Sequence, residues 1–78
     1  MSARVALVTG GARGIGAAIA EGLSAAGVSV AISDVDAEAL AASDLDVPKF
    51  EHDVSVAESC ERVVAQVEAA LGPIDILI

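Results

Sequence analysis

The residues of this chain best placed to do chemistry are Thr9-Gly10-Gly11-Ala12-Arg13-Gly14-Ile15-Gly16. Glycine carries no Cβ, so such a segment can take positive φ and let its backbone lie close against another group. It follows a short apolar run and opens a helical pattern. A loop in that position aims unpaired N–H groups and the positive end of a helix dipole at one point. The guest that suits it is an anion, and a pyrophosphate is the natural one. An ordinary tight turn would not require glycine at 10, 11, 14 and 16 together. The loop is not a P-loop, because Ala17 stands where the phosphate-binding Lys would follow Gly16. It also departs from strict G-x-G-x-x-G spacing; what it matches is T-G-x-x-x-G-x-G.

The flanking patterns predict the elements that hold this loop. Val5-Ala6-Leu7-Val8 reads as a strand buried on both faces. Ile15, Ile19, Leu23 and Ala26 recur at helical spacing, with Ala18 and Gly22 between them, and Gly27 stands where a helix-ending glycine belongs. Val28 to Ser33 is a second strand, ending on Asp34. Asp36 N-caps a short helix over 37–43 anchored by Leu40, and Asp44 to Pro48 is a loop. Lys49 to His52 forms a third strand, ending on Asp53-Val54. Ser55 and Glu58 make an S-x-x-E capping box for a helix whose apolar face is Cys60, Val63, Val64, Val67 and Leu71. Gly72-Pro73 stops that helix, and Ile74 to Ile78 starts a fourth strand. The order β-α-β-α-β-α-β with short connections predicts an open parallel sheet with right-handed crossovers and helices on both faces. That is a three-layer, doubly wound α/β sheet of the Rossmann type, truncated after strand four. Residues 1–78 are read as the N-terminal part of a single dinucleotide-binding domain.

With those features in order, the whole chain resembles the N-terminal portion of a short-chain dehydrogenase/reductase. The resemblance rests on TGGARGIG after strand one, an acidic residue ending strand two, Asp53-Val54 ending strand three, and Gly-Pro-Ile-Asp-Ile-Leu-Ile leading into strand four. It implies a nicotinamide dinucleotide held by Gly10, Arg13, Gly14, Ile15 and Gly16. Ile15 offers its backbone N–H while its side chain packs, and Asp53 and Val54 hold the adenine ring. Asp34 accepts from the ribose 2′-hydroxyl of NAD and repels the 2′-phosphate of NADP. For unit charges ~4 Å apart at an effective dielectric of ~20, that repulsion is about 4 kcal/mol before screening. Arg13 argues the other way, since a basic residue here resembles the NADP-preferring members, but Asp34 sits at the discriminating hydroxyl and decides for NAD. His52 reads as a surface or strand-end histidine and Cys60 as small helix packing, while Glu51, Glu58, Glu61 and Glu68 form a solvated face.

Hydride transfer in the family uses Ser, Tyr and Lys, the last two spaced Y-x-x-x-K. This chain has no Tyr and its one Lys is Lys49, so no catalytic residue is assigned here. The complete enzyme implied would interconvert a secondary alcohol and a ketone of a small molecule, with a homo-oligomer expected. A non-catalytic dinucleotide-binding or interaction module is the alternative. A flavodoxin-like binder is disfavoured by the position of Asp34 and the loop spacing. Composition narrows the rest. A net charge of −8, with nine of the twelve acids between Asp34 and Glu61, disfavours nucleic acid. One cysteine excludes an internal disulfide and a Cys-based metal site. No leader pattern or membrane-length apolar run is visible, so the cytoplasm is the expected compartment. An exposed fourth strand of Ile and Leu would make this chain weakly stable or prone to self-association.

Overall fold

The computed structural model describes residues 4–53 and 55–78. The elements are β1 (Val5–Thr9), α1 (Gly14–Ala25), β2 (Ser29–Asp34), α2 (Ala37–Ala42), β3 (Lys49–Glu51), α3 (Ala57–Leu71) and β4 (Ile76–Leu77). The four strands form one parallel sheet in the order β3-β2-β1-β4. The chain thus steps outward from β1 to β3 and then crosses back to the other side of β1. That reversal puts the helices on opposite faces. Ala20 of α1 and Leu40 of α2 pack with Ala6, Val8, Val30 and Ile32, whereas Val63 and Val67 of α3 pack with Val5, Leu7 and Ala31. Alternate residues of β1 and β2 serve alternate faces, as strand geometry requires. The three-layer expectation holds.

The core uses small side chains where elements come closest. Ala20 is the fully buried residue of α1. Ile19 and Leu23 flank it half-buried, while Ile15, Ala18 and Ala26 are exposed. The buried stripe of α1 is therefore rotated from the one expected, because a methyl group lets the helix approach the sheet more closely than an isoleucine does. α3 shows a similar rotation: Ser59, Val63 and Val67 are buried at four-residue spacing, and Val64 is 37% exposed. Its predicted capping box is not formed. The helix begins at Ala57 behind Val56, with no side-chain cap. Ser55 instead gives both its N–H and its hydroxyl to Asp53 Oδ1, at 2.9 and 2.6 Å. The turn preceding the helix has taken the group that the cap needed.

Asp36 caps α2 as expected, its Oδ1 accepting from the N–H groups of Glu38 and Ala39. At the start of the sheet, Asp75 locks β4 to β1 twice. Its N–H donates to the Val5 carbonyl at 2.9 Å, and its Oδ2 accepts from the Val5 N–H at 3.0 Å. At the other end the Thr9 N–H and hydroxyl both donate to the Ile78 carbonyl, at 2.8 and 2.7 Å. β4 lies at the sheet edge with Leu77 67% exposed. Among the described residues no helix is long and apolar enough to cross a membrane.

Candidate functional site

The carboxyl ends of β1 and β4 lie side by side, at the point where the strand order reverses from the β1-to-β3 side of the sheet to β4. In open α/β sheets this is where ligands bind. The glycine loop leaves β1 at that point. Gly10 and Gly14 take φ of 66° and 64°, which L side chains rarely adopt. A Cβ at either would meet nothing within 4 Å, so both glycines border open space. Gly16 serves a different need: a Cβ there would run into the Gly10 carbonyl. The loop folds tightly over the first turn of α1 because that side chain is missing. Gly11 is pressed the same way against Ile32 Cβ and the Val8 carbonyl oxygen, each 2.8 Å from a Cβ added there.

The start of α1 is open. Arg13, extended at φ −160°, precedes it without offering a side-chain cap, and the first turn holds no acid. Among the described residues no oxygen accepts from the N–H groups of Gly14, Ile15 or Gly16. Three donors at the positive end of a twelve-residue helix are therefore without an acceptor among the described residues, an arrangement whose chemistry suits an anion. The Ile15 side chain does not pack as expected; it is 81% exposed, because the buried stripe of α1 begins further round.

Asp34 ends β2 beside the loop and is only 8% exposed. Its Oδ2 accepts from the Ala12 N–H at 3.4 Å and its Oδ1 from the Asp36 N–H at 3.1 Å. The carboxylate is thus pinned between the glycine loop and the turn into α2. Arg13 reaches the same turn, its guanidinium 3.5 Å from Asp36 Oδ2. With Arg13 72% exposed, that pair contributes at most about 1 kcal/mol. Asp53 follows β3, and its two Ser55 contacts hold its carboxyl below the ordinary 3.8, the hydroxyl being the larger cause and the N–H the next. Val54 lies outside the described residues. The loop, Asp34 and Asp53 thus all sit at the carboxyl ends of β1, β2 and β3. A groove of about 500 Å³ opens beside them, between Ala12, Ala17 and Glu21 on one side and Ala42 to Leu45 on the other. Glu21 and Asp44 give it the wrong charge for a pyrophosphate.

Three residues carry structural roles that the sequence did not reveal. Thr9 and Asp75 fix β1 against β4 and so set the crevice between them. His52 is buried rather than superficial, with both ring nitrogens in contact with side chains. A lone histidine at a strand end gives no sign in sequence of the serine and cysteine that enclose it.

Strand order, crossovers on both faces and a glycine loop at the switch point define an open, doubly wound α/β protein of the Rossmann type. The family model described as "short chain dehydrogenase" matches residues 4–78, and the chain belongs to that family. It is 50% identical over 78 residues to an acetoacetyl-CoA reductase of Shinella zoogloeoides, covering 96% of this chain and 32% of that protein. It is 39% identical over 79 residues to a 2,5-dichloro-2,5-cyclohexadiene-1,4-diol dehydrogenase of Sphingobium indicum, with the same coverage. Among solved structures, a blue fluorescent protein from a metagenomic library, in complex with NADPH, superposes with a TM-score of 0.83 at 34% identity. That match covers 97% of this chain and 35% of the other. The chain therefore spans about a third of the length of the relatives it matches.

Proposed function

We propose that residues 1–78 form the N-terminal part of a dinucleotide-binding domain, and that this part holds the adenosine and pyrophosphate of NAD for an alcohol–ketone oxidoreductase. The open start of α1 carries the reading: three unclaimed N–H groups at a glycine-lined space beside the β1–β4 crevice. In the proposal the N–H groups of Gly14, Ile15 and Gly16 take the pyrophosphate, and Gly10 keeps the approach clear. Asp34 accepts from the ribose 2′-hydroxyl, while Asp53 and Val54 take the adenine. Bound nicotinamide would supply the hydride chemistry. The chain contains no Tyr, so its own part is to bind and orient, and alone it is expected to bind without turnover. The name of the half-identical relative supports a 3-oxoacyl or 3-hydroxyacyl compound as the substrate class of the whole enzyme.

NAD is proposed over NADP because the Asp34 carboxylate is fixed by two backbone amides at the end of β2 and cannot easily swing away from a 2′-phosphate. Arg13, the one cation of the loop, is engaged with Asp36. Titration with NADH and NADPH, followed by nucleotide fluorescence, tests this. NADH should bind more tightly, and equal affinity or a preference for NADPH overturns the assignment.

A further inference from the structure

We propose that His52 and Ser33 are a positioning pair that sets the adenosine end of the site; this rests on the roles given above to Asp34 and Asp53. His52 is 6% exposed and Ser33 fully buried. The ring Nδ1 lies 3.1 Å from Ser33 Oγ, and Nε2 lies 3.2 Å from Cys60 Sγ on α3. A hydroxyl and a thiol can each donate or accept, so either neutral tautomer satisfies both contacts. The His52 backbone N–H donates to the Asp34 carbonyl at 2.9 Å. The next N–H, that of Asp53, donates to Ser59 Oγ at 3.0 Å.

The sequence neighbours give these contacts their meaning. Ser33 directly precedes Asp34, and His52 directly precedes Asp53. Side chains alternate along a strand, so Ser33 points to the α3 face while Asp34 points to the glycine loop. The imidazole therefore ties the ends of β2 and β3 to the first turn of α3 from beneath, and the two proposed adenosine ligands project from the tied ends. Burying a polar pair gains little over burying apolar groups of the same shape, since its hydrogen bonds mainly offset lost hydration. What it adds is a fixed distance and direction between two strand ends.

The test compares binding of NADH with binding of inorganic pyrophosphate, which engages only the glycine loop, and follows thermal unfolding alongside. His52→Leu removes both ring contacts, and Ser33→Ala removes one without emptying the site. Each should weaken NADH roughly two- to tenfold by misaligning Asp34 and Asp53, and leave pyrophosphate unchanged. His52→Asn places an amide where Nδ1 was and should restore most of the NADH affinity. Unaltered NADH binding in both His52→Leu and Ser33→Ala overturns the proposal, as does a parallel loss of both ligands, which would mark general loosening. Asp34→Ala, which leaves no acceptor for the ribose 2′-hydroxyl, separates the two levels. If it leaves NADH binding unchanged, the underlying site reading fails; if it weakens NADH while His52→Leu and Ser33→Ala do not, only the positioning role falls.

Discussion

The starts of α1 and α2 stand at the carboxyl ends of neighbouring strands, yet they are finished in opposite ways. α2 satisfies itself: Asp36 accepts from two of its N–H groups, and Glu38 adds a negative charge in the first turn. α1 has neither a capping side chain nor an acid there, although it is twice as long, with twelve residues against six. Stability alone would favour the reverse, because a good cap contributes about 1 kcal/mol and the longer helix has the larger dipole to complement. Leaving the longer helix bare makes sense where its donors are reserved for a ligand. The comparison also explains the unequal use of glycine, which lines the start of α1 and is absent from that of α2.

The largest effect should come from closing the open end. In Gly16→Ala the new methyl would meet the Gly10 carbonyl, so the loop backbone has to shift. We expect a loss of about 1–3 kcal/mol in denaturant unfolding, as for other overpacked sites, and NADH binding lost with it. Gly22→Ala is the matched control on the same helix. Its Cβ meets nothing within 4 Å, and replacing a mid-helix glycine should stabilise by roughly 0.5–1 kcal/mol with binding intact. If the two variants behave alike, glycine in the loop serves helix propensity and not the cradle.

Next in size is the charge that stands between the two helix starts. Asp34→Asn keeps an acceptor for only one of the Ala12 and Asp36 N–H groups, turns its amide NH2 toward the other, and removes the negative charge. The NADPH-to-NADH affinity ratio should rise on the order of tenfold, well under the unscreened repulsion because solvent reaches a bound nucleotide. Smaller still is the effect of giving α2 a neutral cap. Asn caps as well as Asp, so Asp36→Asn should leave unfolding unchanged, whereas Asp36→Ala costs about 1 kcal/mol. Both variants release Arg13 from its carboxylate, and both should raise NADPH affinity a little. A gain in Asp36→Ala alone would mean that the α2 turn, not the Arg13 pair, sets the preference.

Much of this was legible because it depends on local spacing. The Val5 to Val8 run, the glycines at 10, 14 and 16, and Asp36 before α2 each act on residues within a few positions, and each element lies where its pattern placed it. The misreadings came where a pattern had two possible partners. Ser55 could cap forward to α3 or bond back to Asp53, and the back bond formed because a two-residue turn closes around an acceptor already in place. Ile15 and Val64 fit a helical stripe by spacing, but the faces actually buried are set by how closely Ala20 and Ser59 allow the helices to approach the sheet. Thr9 and Asp75 take their roles from partners 69 and 70 residues away, and His52 from Ser33 and Cys60, 19 and 8 residues away, which no local spacing pattern encodes.

The smallest predicted effect concerns a third helix start, that of α3, intermediate between the other two. It has no side-chain cap, but Asp53 organises the turn before it through Oδ1, and no described residue bonds Oδ2. The Ser55 hydroxyl and N–H both favour the ionised form, so the folded carboxyl titrates below its ordinary 3.8. A depressed acid contributes stability that is fully present above the unfolded value and is lost as pH falls through the folded one. The loss is thus confined to pH below about 4, and at neutral pH the contribution is present in full. Ser55→Ala removes the hydroxyl and leaves the N–H, so the Asp53 titration, followed by its side-chain carboxyl carbon resonance, should move part of the way back up. NADH affinity at neutral pH should stay constant, because Asp53 is ionised in both proteins. If affinity falls with the titration unmoved, Ser55 itself touches the nucleotide, and the α3 start belongs with α1 as a ligand site instead of with α2 as a self-contained turn.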